Sequence, residues 1–161
     1  TEQSIKFLAR KLRGGGKGRF LFYVYAKKAA IREYTDDYIR HQLQKMSDQE
    51  AWDALGSLTE LGISLGKMNT DIEVPEDIPM LGIKKGVYDL QRFFYWHICK
   101  MYFHSDYTLE EMNHINFDWF RPMNCHRHTP EEIEQWCREA ELTIEHMDVQ
   151  KAGITVVAIK N

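Results

Sequence analysis

"GGGKGRFLFYVY", Gly14 to Tyr25, sets a glycine-rich turn directly before a run of aromatic and β-branched residues. A run of that composition and length predicts a β-strand. Apolar side chains occupy nearly every position from Phe20 to Tyr25, so the expected strand is covered on both faces, as in an α/β sheet. Upstream, Ile5, Leu8, Ala9 and Leu12 recur at the spacing of one helical face, and the glycines end that helix. The glycine run is not a phosphate-binding loop. It follows a helix and precedes a strand, and no Gly-Lys-Ser/Thr completes it.

From Lys27 to about Trp119 the pattern is helical, with no convincing strand. One helix is expected from about Ala29 to Met46, with Ile31, Tyr34, Tyr38 and Leu43 turned inward. Ser47 and Glu50 form a capping box that opens a second helix carrying Trp52, Leu55, Leu58, Leu61 and Leu65. Asn69 to Gly86, broken by Pro75, Pro79 and glycines, reads as a loop. A third helix is expected over Val87 to Phe103, its apolar residues dense enough to bury most of its circumference. Thr108 with Glu111 is a second capping box, opening a short helix towards Trp119.

The C-terminal part is simpler. Thr129, Pro130 and Glu132 supply an N-cap, an N1 proline and an N3 glutamate. Ile133, Trp136, Cys137 and Ala140 then mark one apolar face. "LTIEHMDV" and "ITVVAIK" read as two strands joined in a hairpin through "QKAG".

Composition bounds the function classes. The 161 residues are 43% hydrophobic and 12% aromatic with a net charge of −3, which fits one globular chain with a core. That charge balance calls for neither nucleic acid nor an acidic membrane. The basic residues Lys6, Arg10, Lys11, Arg13, Lys17 and Arg19 read as a solvated helix face and loop. No apolar run reaches the ~18 residues of a membrane span. Cys99, Cys125 and Cys137 are odd in number and unpatterned, which predicts reduced thiols and a cytoplasmic location. The absence of an initiator methionine leads us to expect part of a longer protein. "CHRH", Cys125 to His128, is too compact for a tetrahedral zinc site and has no second ligand pair, so no metal is expected.

Two segments carry a family resemblance. "FLARKLRGGGKGRFLFYVY" (7–25) and "FDWFRPMNCHRHTPEEIEQWCREAELTIEHMDV" (117–149) with "GITVVAIK" (153–160) resemble the C-terminal half of class I S-adenosylmethionine-dependent methyltransferases of the small-molecule type, methyltransferase type 11/12-like. The resemblance implies an α/β fold: a partial Rossmann-like sheet, holding its last three strands, with a large helical lid insertion. Residues 1–26 would supply the fifth-strand segment, 27–120 the lid and substrate insertion, and 121–161 the last helix and strand pair. The chain departs from the family at three points, the first being that the glycine turn at 14–18 lacks the usual proline and has extra glycines and a lysine. Glu141 stands where a glycine commonly ends the last helix, and the glycine-rich cofactor turn with its ribose-binding carboxylate occurs nowhere. If the missing strands lie elsewhere, the Arg19–Tyr25 strand exposes an apolar edge. The cofactor implied is S-adenosylmethionine, bound outside this chain. The partners implied are a small-molecule methyl acceptor and either the missing N-terminal half or a homodimer mate. A non-catalytic module that pairs through the exposed strand is the alternative.

Methyl transfer needs alignment and, for some acceptors, removal of a proton. Asp118, His126 and His128 are the candidate proton acceptors, histidine being suited by its near-neutral pKa. Arg121 could hold a substrate carboxylate or phosphate. Tyr25 falls at the carboxyl end of its strand, where α/β sheets bind ligands. Tyr107, Trp119 and Phe120 are candidates to line an apolar substrate pocket.

Overall fold

The computed structural model describes residues 1–161 and is a mixed α/β protein. In chain order the elements are α1 (Glu2–Ala9), β1 (Arg19–Ala26), α2 (Ala30–Leu43), α3 (Asp48–Lys67), β2 (Asp71–Val74) and β3 (Gly86–Asp89). There follow α4 (Leu90–His97), α5 (Leu109–Phe120), β4 (Arg127–His128), α6 (Pro130–Glu139), β5 (Leu142–Val149) and β6 (Gly153–Lys160). The chain divides into two compact units, Thr1–Lys27 with His126–Asn161, and Lys28–Cys125.

The first unit is a four-stranded mixed sheet in the order β4-β1-β6-β5. β6 runs antiparallel to both β1 and β5, so β1 and β5 are parallel with a reversed strand between them. The β5–β6 pair is the hairpin expected through "QKAG", with one irregularity between Ile144 and His146. Cross-strand pairs decide which face is the core. Phe20, Phe22 and Val24 of β1 lie opposite Ala158, Val156 and Ile154 of β6. These residues pack in one cluster with Ile5 and Ala9 of α1 and with Ile133 and Cys137 of α6.

The other face of β1 is open, contrary to the expectation of cover on both faces. Leu21, Tyr23 and Tyr25 are 69%, 52% and 44% exposed. The run of apolar letters concealed a strand with only one core face, because both packed helices of this unit belong to the same core cluster. α1 also ends at Ala9, so that Leu8 is exposed and Leu12 packs against the core from the following turn. Gly18 permits that turn to fold back: a Cβ there would lie 2.5 Å from the Arg13 carbonyl oxygen.

The end of α6 answers the question raised by Glu141. Glu141 adopts the left-handed conformation at φ +55°, a place normally taken by glycine. The Lys160 ammonium donates to the Ala140 carbonyl at 2.9 Å and to the Glu141 carboxylate at 2.7 Å. Those bonds offset a left-handed penalty of order 1–2 kcal/mol.

All three expected capping boxes form and are reciprocal, two of them, Ser47 with Glu50 and Thr108 with Glu111, in the second unit. The third, Thr129 with Glu132, opens α6 in the first unit. Other expectations change. The segment read as a loop is a two-stranded antiparallel sheet, β2 with β3, tipped by a 3₁₀ turn at Pro79–Leu81. α2 turns its tyrosines outward: Tyr34 is 77% and Tyr38 58% exposed, while Arg32, Asp36, Arg40 and Leu43 are buried.

The third helix stops at His97 rather than Phe103, and the same buried polar residues explain this. The Lys100 N–H donates to Asp36 Oδ1 at 3.2 Å and the Tyr102 N–H to Asn116 Oδ1 at 3.1 Å. Gln91 Nε2 donates to the Met101 carbonyl at 2.5 Å. Side chains thus satisfy the backbone at Lys100, Met101 and Tyr102 in a non-helical path, while the Ile98 and Cys99 N–H groups still bond the Phe94 carbonyl of α4. α3 makes room for it: Gly62 and Gly66, one turn apart, face Met101 and Phe103.

Candidate functional site

β4 and α6 place the two C-terminal histidines. β4 pairs in parallel with the carboxyl end of β1, Tyr25 opposite Arg127 and Ala26 opposite His128. The Lys27 N–H donates to the His128 carbonyl at 2.9 Å, which locks that end of the strand pair. Thr129 then caps α6, its hydroxyl accepting from the Glu132 N–H at 3.3 Å while the Glu132 carboxylate accepts from the Thr129 N–H at 2.9 Å. Strand alternation puts His126 and His128 on the helix side of the sheet, and Tyr25 with Arg127 on the open side.

His128 is held from several directions. Its ring meets Trp136 edge-on at 4.8 Å and stacks beside His126 at 6.3 Å. Nδ1 lies 3.6 Å from Glu132 Oε2, and the His128 side chain is 11% exposed. Nε2 is buried with no hydrogen-bond partner. Burial pushes the imidazole pKa below its ordinary value, while the Glu132 carboxylate opposes the shift. A neutral imidazole with an orphaned ring nitrogen is the form a general base requires. His126 is the more exposed of the pair.

The remaining candidates sit in the helical unit. Asp118 lies on the outer face of α5, its carboxylate 69% exposed and 3.6 Å from His114. Arg121 donates to Asp48 Oδ1 at 2.7 Å and to the Met46 carbonyl at 3.4 Å, tying the end of α5 to the α2–α3 turn. Phe120 is wholly buried and Trp119 is 7% exposed, both in the unit's core cluster. Tyr107 is 42% exposed and contacts Tyr102 and His104. The structure therefore gathers Tyr25, His126 and His128 at one strand end, and places Asp118, Trp119, Phe120 and Arg121 along α5. A groove of about 290 Å³ between α3 and the start of α5 is lined by Trp52, Asp53, Gly56, Leu109, Glu110 and Asn113, none of them among the expected site residues.

Sequence reasoning missed a buried ionic cluster. Arg32 Nε donates to Asp36 Oδ2 at 2.6 Å, each side chain 1% exposed, and Arg32 also donates to the Tyr95 carbonyl. Trp119 Nε1 donates to the same Asp36 oxygen at 2.8 Å. Around the Trp119 ring stand three cations, Lys100 at 4.9 Å, Arg32 at 5.7 Å and Arg40 at 5.9 Å from its centroid. Burial, with Arg32 adding to it, brings the Lys100 pKa down to about 8. The i, i+4, i+8 spacing of Arg32, Asp36 and Arg40 on one helix is the signal that could have found it. Cys99 is inert by contrast, burial pushing its thiol up to about 12.

No group of three or more His, Cys, Asp and Glu side chains is placed to hold a metal ion, and no helix is long and apolar enough to cross a membrane. In comparison with known proteins, no family model, curated protein or solved structure matches the chain.

Proposed function

We propose that this chain is the substrate-side, C-terminal half of an S-adenosylmethionine-dependent methyltransferase that acts on a small molecule in the cytoplasm. One observation carries the reading. The two segments that resemble the family, far apart in sequence, fold into a single unit around one sheet except for residues 117–125, which fall in the separate, largely helical unit formed by the intervening residues. A partial Rossmann-like sheet interrupted by a lid insertion would have this organisation.

The residues present do not fit the cofactor itself. The glycines at 14–18 precede β1 instead of following a strand, and no glycine turn opens a helix after one. We therefore assign S-adenosylmethionine to residues outside this chain and derive no step through it. What the chain would contribute is proton handling: His128, neutral and with a buried, unpartnered Nε2, takes the proton of an acceptor O–H or N–H. Tyr25, on the open face of the sheet at the carboxyl end of β1, would lie on the opposite side from that imidazole.

The test is calorimetric titration of S-adenosylmethionine into the 161-residue chain and into the longer gene product. We expect no binding to the first and binding to the second. Tight binding to the chain alone would overturn the assignment of the cofactor, and no binding to either would overturn the methyltransferase reading.

A second reading is favoured by the edge of β1. β4 pairs only with Tyr25 and Ala26, leaving the backbone of Arg19–Val24 without a strand on that side. The stretch Phe20–Tyr25 carries none of the charges, prolines or bulges that usually protect an edge. The alternative is a non-catalytic module that pairs through this edge with a partner or with itself. Light scattering after size exclusion separates the readings: a dimer dissociated by Tyr23→Lys supports the module, and a monomer at all concentrations removes its self-pairing form.

A further inference from the structure

We propose that Glu132 is a positioning residue that holds His128 in the Nδ1–H tautomer, so that Nε2 is the nitrogen that accepts from the ligand. This rests on reading His128 as the proton acceptor, but the tautomer can be measured whatever the ligand is. Three observations converge on it. Glu132 Oε2 faces Nδ1 at 3.6 Å, slightly longer than a hydrogen bond and of the kind that shortens when charge develops on the ring. Trp136, one turn further along α6, blocks rotation of the imidazole by its edge-on contact. Nε2 is buried without a partner, a condition that costs about 1–3 kcal/mol unless a ligand satisfies it.

The same carboxylate has a fixed position for an independent reason. It closes the capping box by accepting the Thr129 N–H at 2.9 Å, so its place relative to His128 is set by the helix start. The motif His-Thr-Pro-Glu-Glu would thus couple a helix cap to the orientation of a base. The other charged groups acting on His128 are His126, beside it in the chain, and the α-amino group of Thr1 at the start of α1. Neither is a carboxylate and His126 is exposed, so Glu132, at 3.6 Å from Nδ1, is the carboxylate that selects the tautomer. Proton transfer then balances simply: the acceptor's proton moves to Nε2, and the resulting imidazolium keeps its Nδ1–H on the Glu132 carboxylate. The arrangement also chooses between the two histidines, making His128 the base and His126 its outer neighbour.

Long-range ¹H–¹⁵N correlation spectra of the folded chain above the imidazole pKa report the tautomer directly, with the His128 signals assigned by their loss in His128→Gln. We expect the wild-type chain to show a protonated Nδ1 and a bare Nε2. Glu132→Gln, which keeps an oxygen for the Thr129 N–H, should lower the Nδ1–H to Nε2–H ratio roughly two- to fivefold, the range that a half-exposed ion pair supports. A carboxylate that only capped α6 would change the melting temperature of Glu132→Gln and leave the ratio unmoved, which would overturn the proposal. An Nε2–H tautomer in the wild-type chain would overturn it without any variant.

Discussion

Neutralising Asp36 should cost more than any exposed charge change in this protein, and the structure gives the reason. Asp36 accepts from Arg32 Nε at 2.6 Å, Trp119 Nε1 at 2.8 Å and the Lys100 N–H at 3.2 Å. It is the buried carboxylate of a cluster that holds three buried cations, Arg32, Arg40 and Lys100. Asp36→Asn keeps the shape but leaves the buried Arg32 guanidinium without its carboxylate, and breaking a buried pair in this way costs about 3–5 kcal/mol. Against a typical total of about 5–15 kcal/mol, that loss is a large fraction of the fold's stability. The next residue supplies the control. Asp37 pairs with Arg40 at 2.7 Å but its side chain is 60% exposed, so Asp37→Asn should cost about 1 kcal/mol or less. Urea denaturation followed by tryptophan fluorescence measures both. If the two variants lose the same stability, or Asp36→Asn loses under about 1 kcal/mol, the charge-balance reasoning is refuted.

Lys100 gives a pH prediction with a definite sign. Its pKa falls from 10.5 to about 8 on folding, so between those values the unfolded chain binds the proton more tightly. Stability is therefore lowest below pH 8 and rises towards pH 10.5, by about 3 kcal/mol at 1.36 kcal/mol per unit. Lys100→Met should be more stable than wild type at pH 7 and show a flatter profile; a wild-type profile already flat from pH 8 to 10 would contradict this. The glycines of α3 should respond to alanine with opposite signs. Nothing lies within 4 Å of a Cβ on Gly56, so Gly56→Ala gains about 1 kcal/mol of helix propensity. A Cβ on Gly66 would sit 2.2 Å from Phe103 Cδ1, so Gly66→Ala should lose about 1–3 kcal/mol by overpacking; thermal melts that move the same way would refute the assignment.

These residues also show which parts of the fold were legible in the sequence. The capping boxes at Ser47, Thr108 and Thr129 were readable because both partners lie within one turn and the bond is local. The β5–β6 hairpin was readable for the same reason. α2 was misread because hydrophobic periodicity assumes that the apolar side faces in, whereas Arg32 and Asp36 neutralise each other and take the inner face from Tyr34 and Tyr38. The early end of α4 was hidden because the groups that claim the Lys100 and Tyr102 N–H groups, Asp36 and Asn116, are distant in sequence. At the candidate site the histidines were visible as residue types. The Trp136 contact and the orphaned Nε2 depend on how β4 and α6 meet, which spacing alone does not reveal.

The sheet of the first unit joins Thr1–Lys27 to His126–Asn161, with the whole second unit between them in sequence. On the ribosome, β1 therefore emerges long before β6, the strand that pairs along its length. At ordinary elongation rates the wait is roughly 7 to 27 s, while the helical unit has all its residues and can fold first. During that interval Phe20–Tyr25 is an apolar segment with neither edge paired, which makes nascent-chain chaperone contact and premature strand exchange the characteristic hazards of its synthesis.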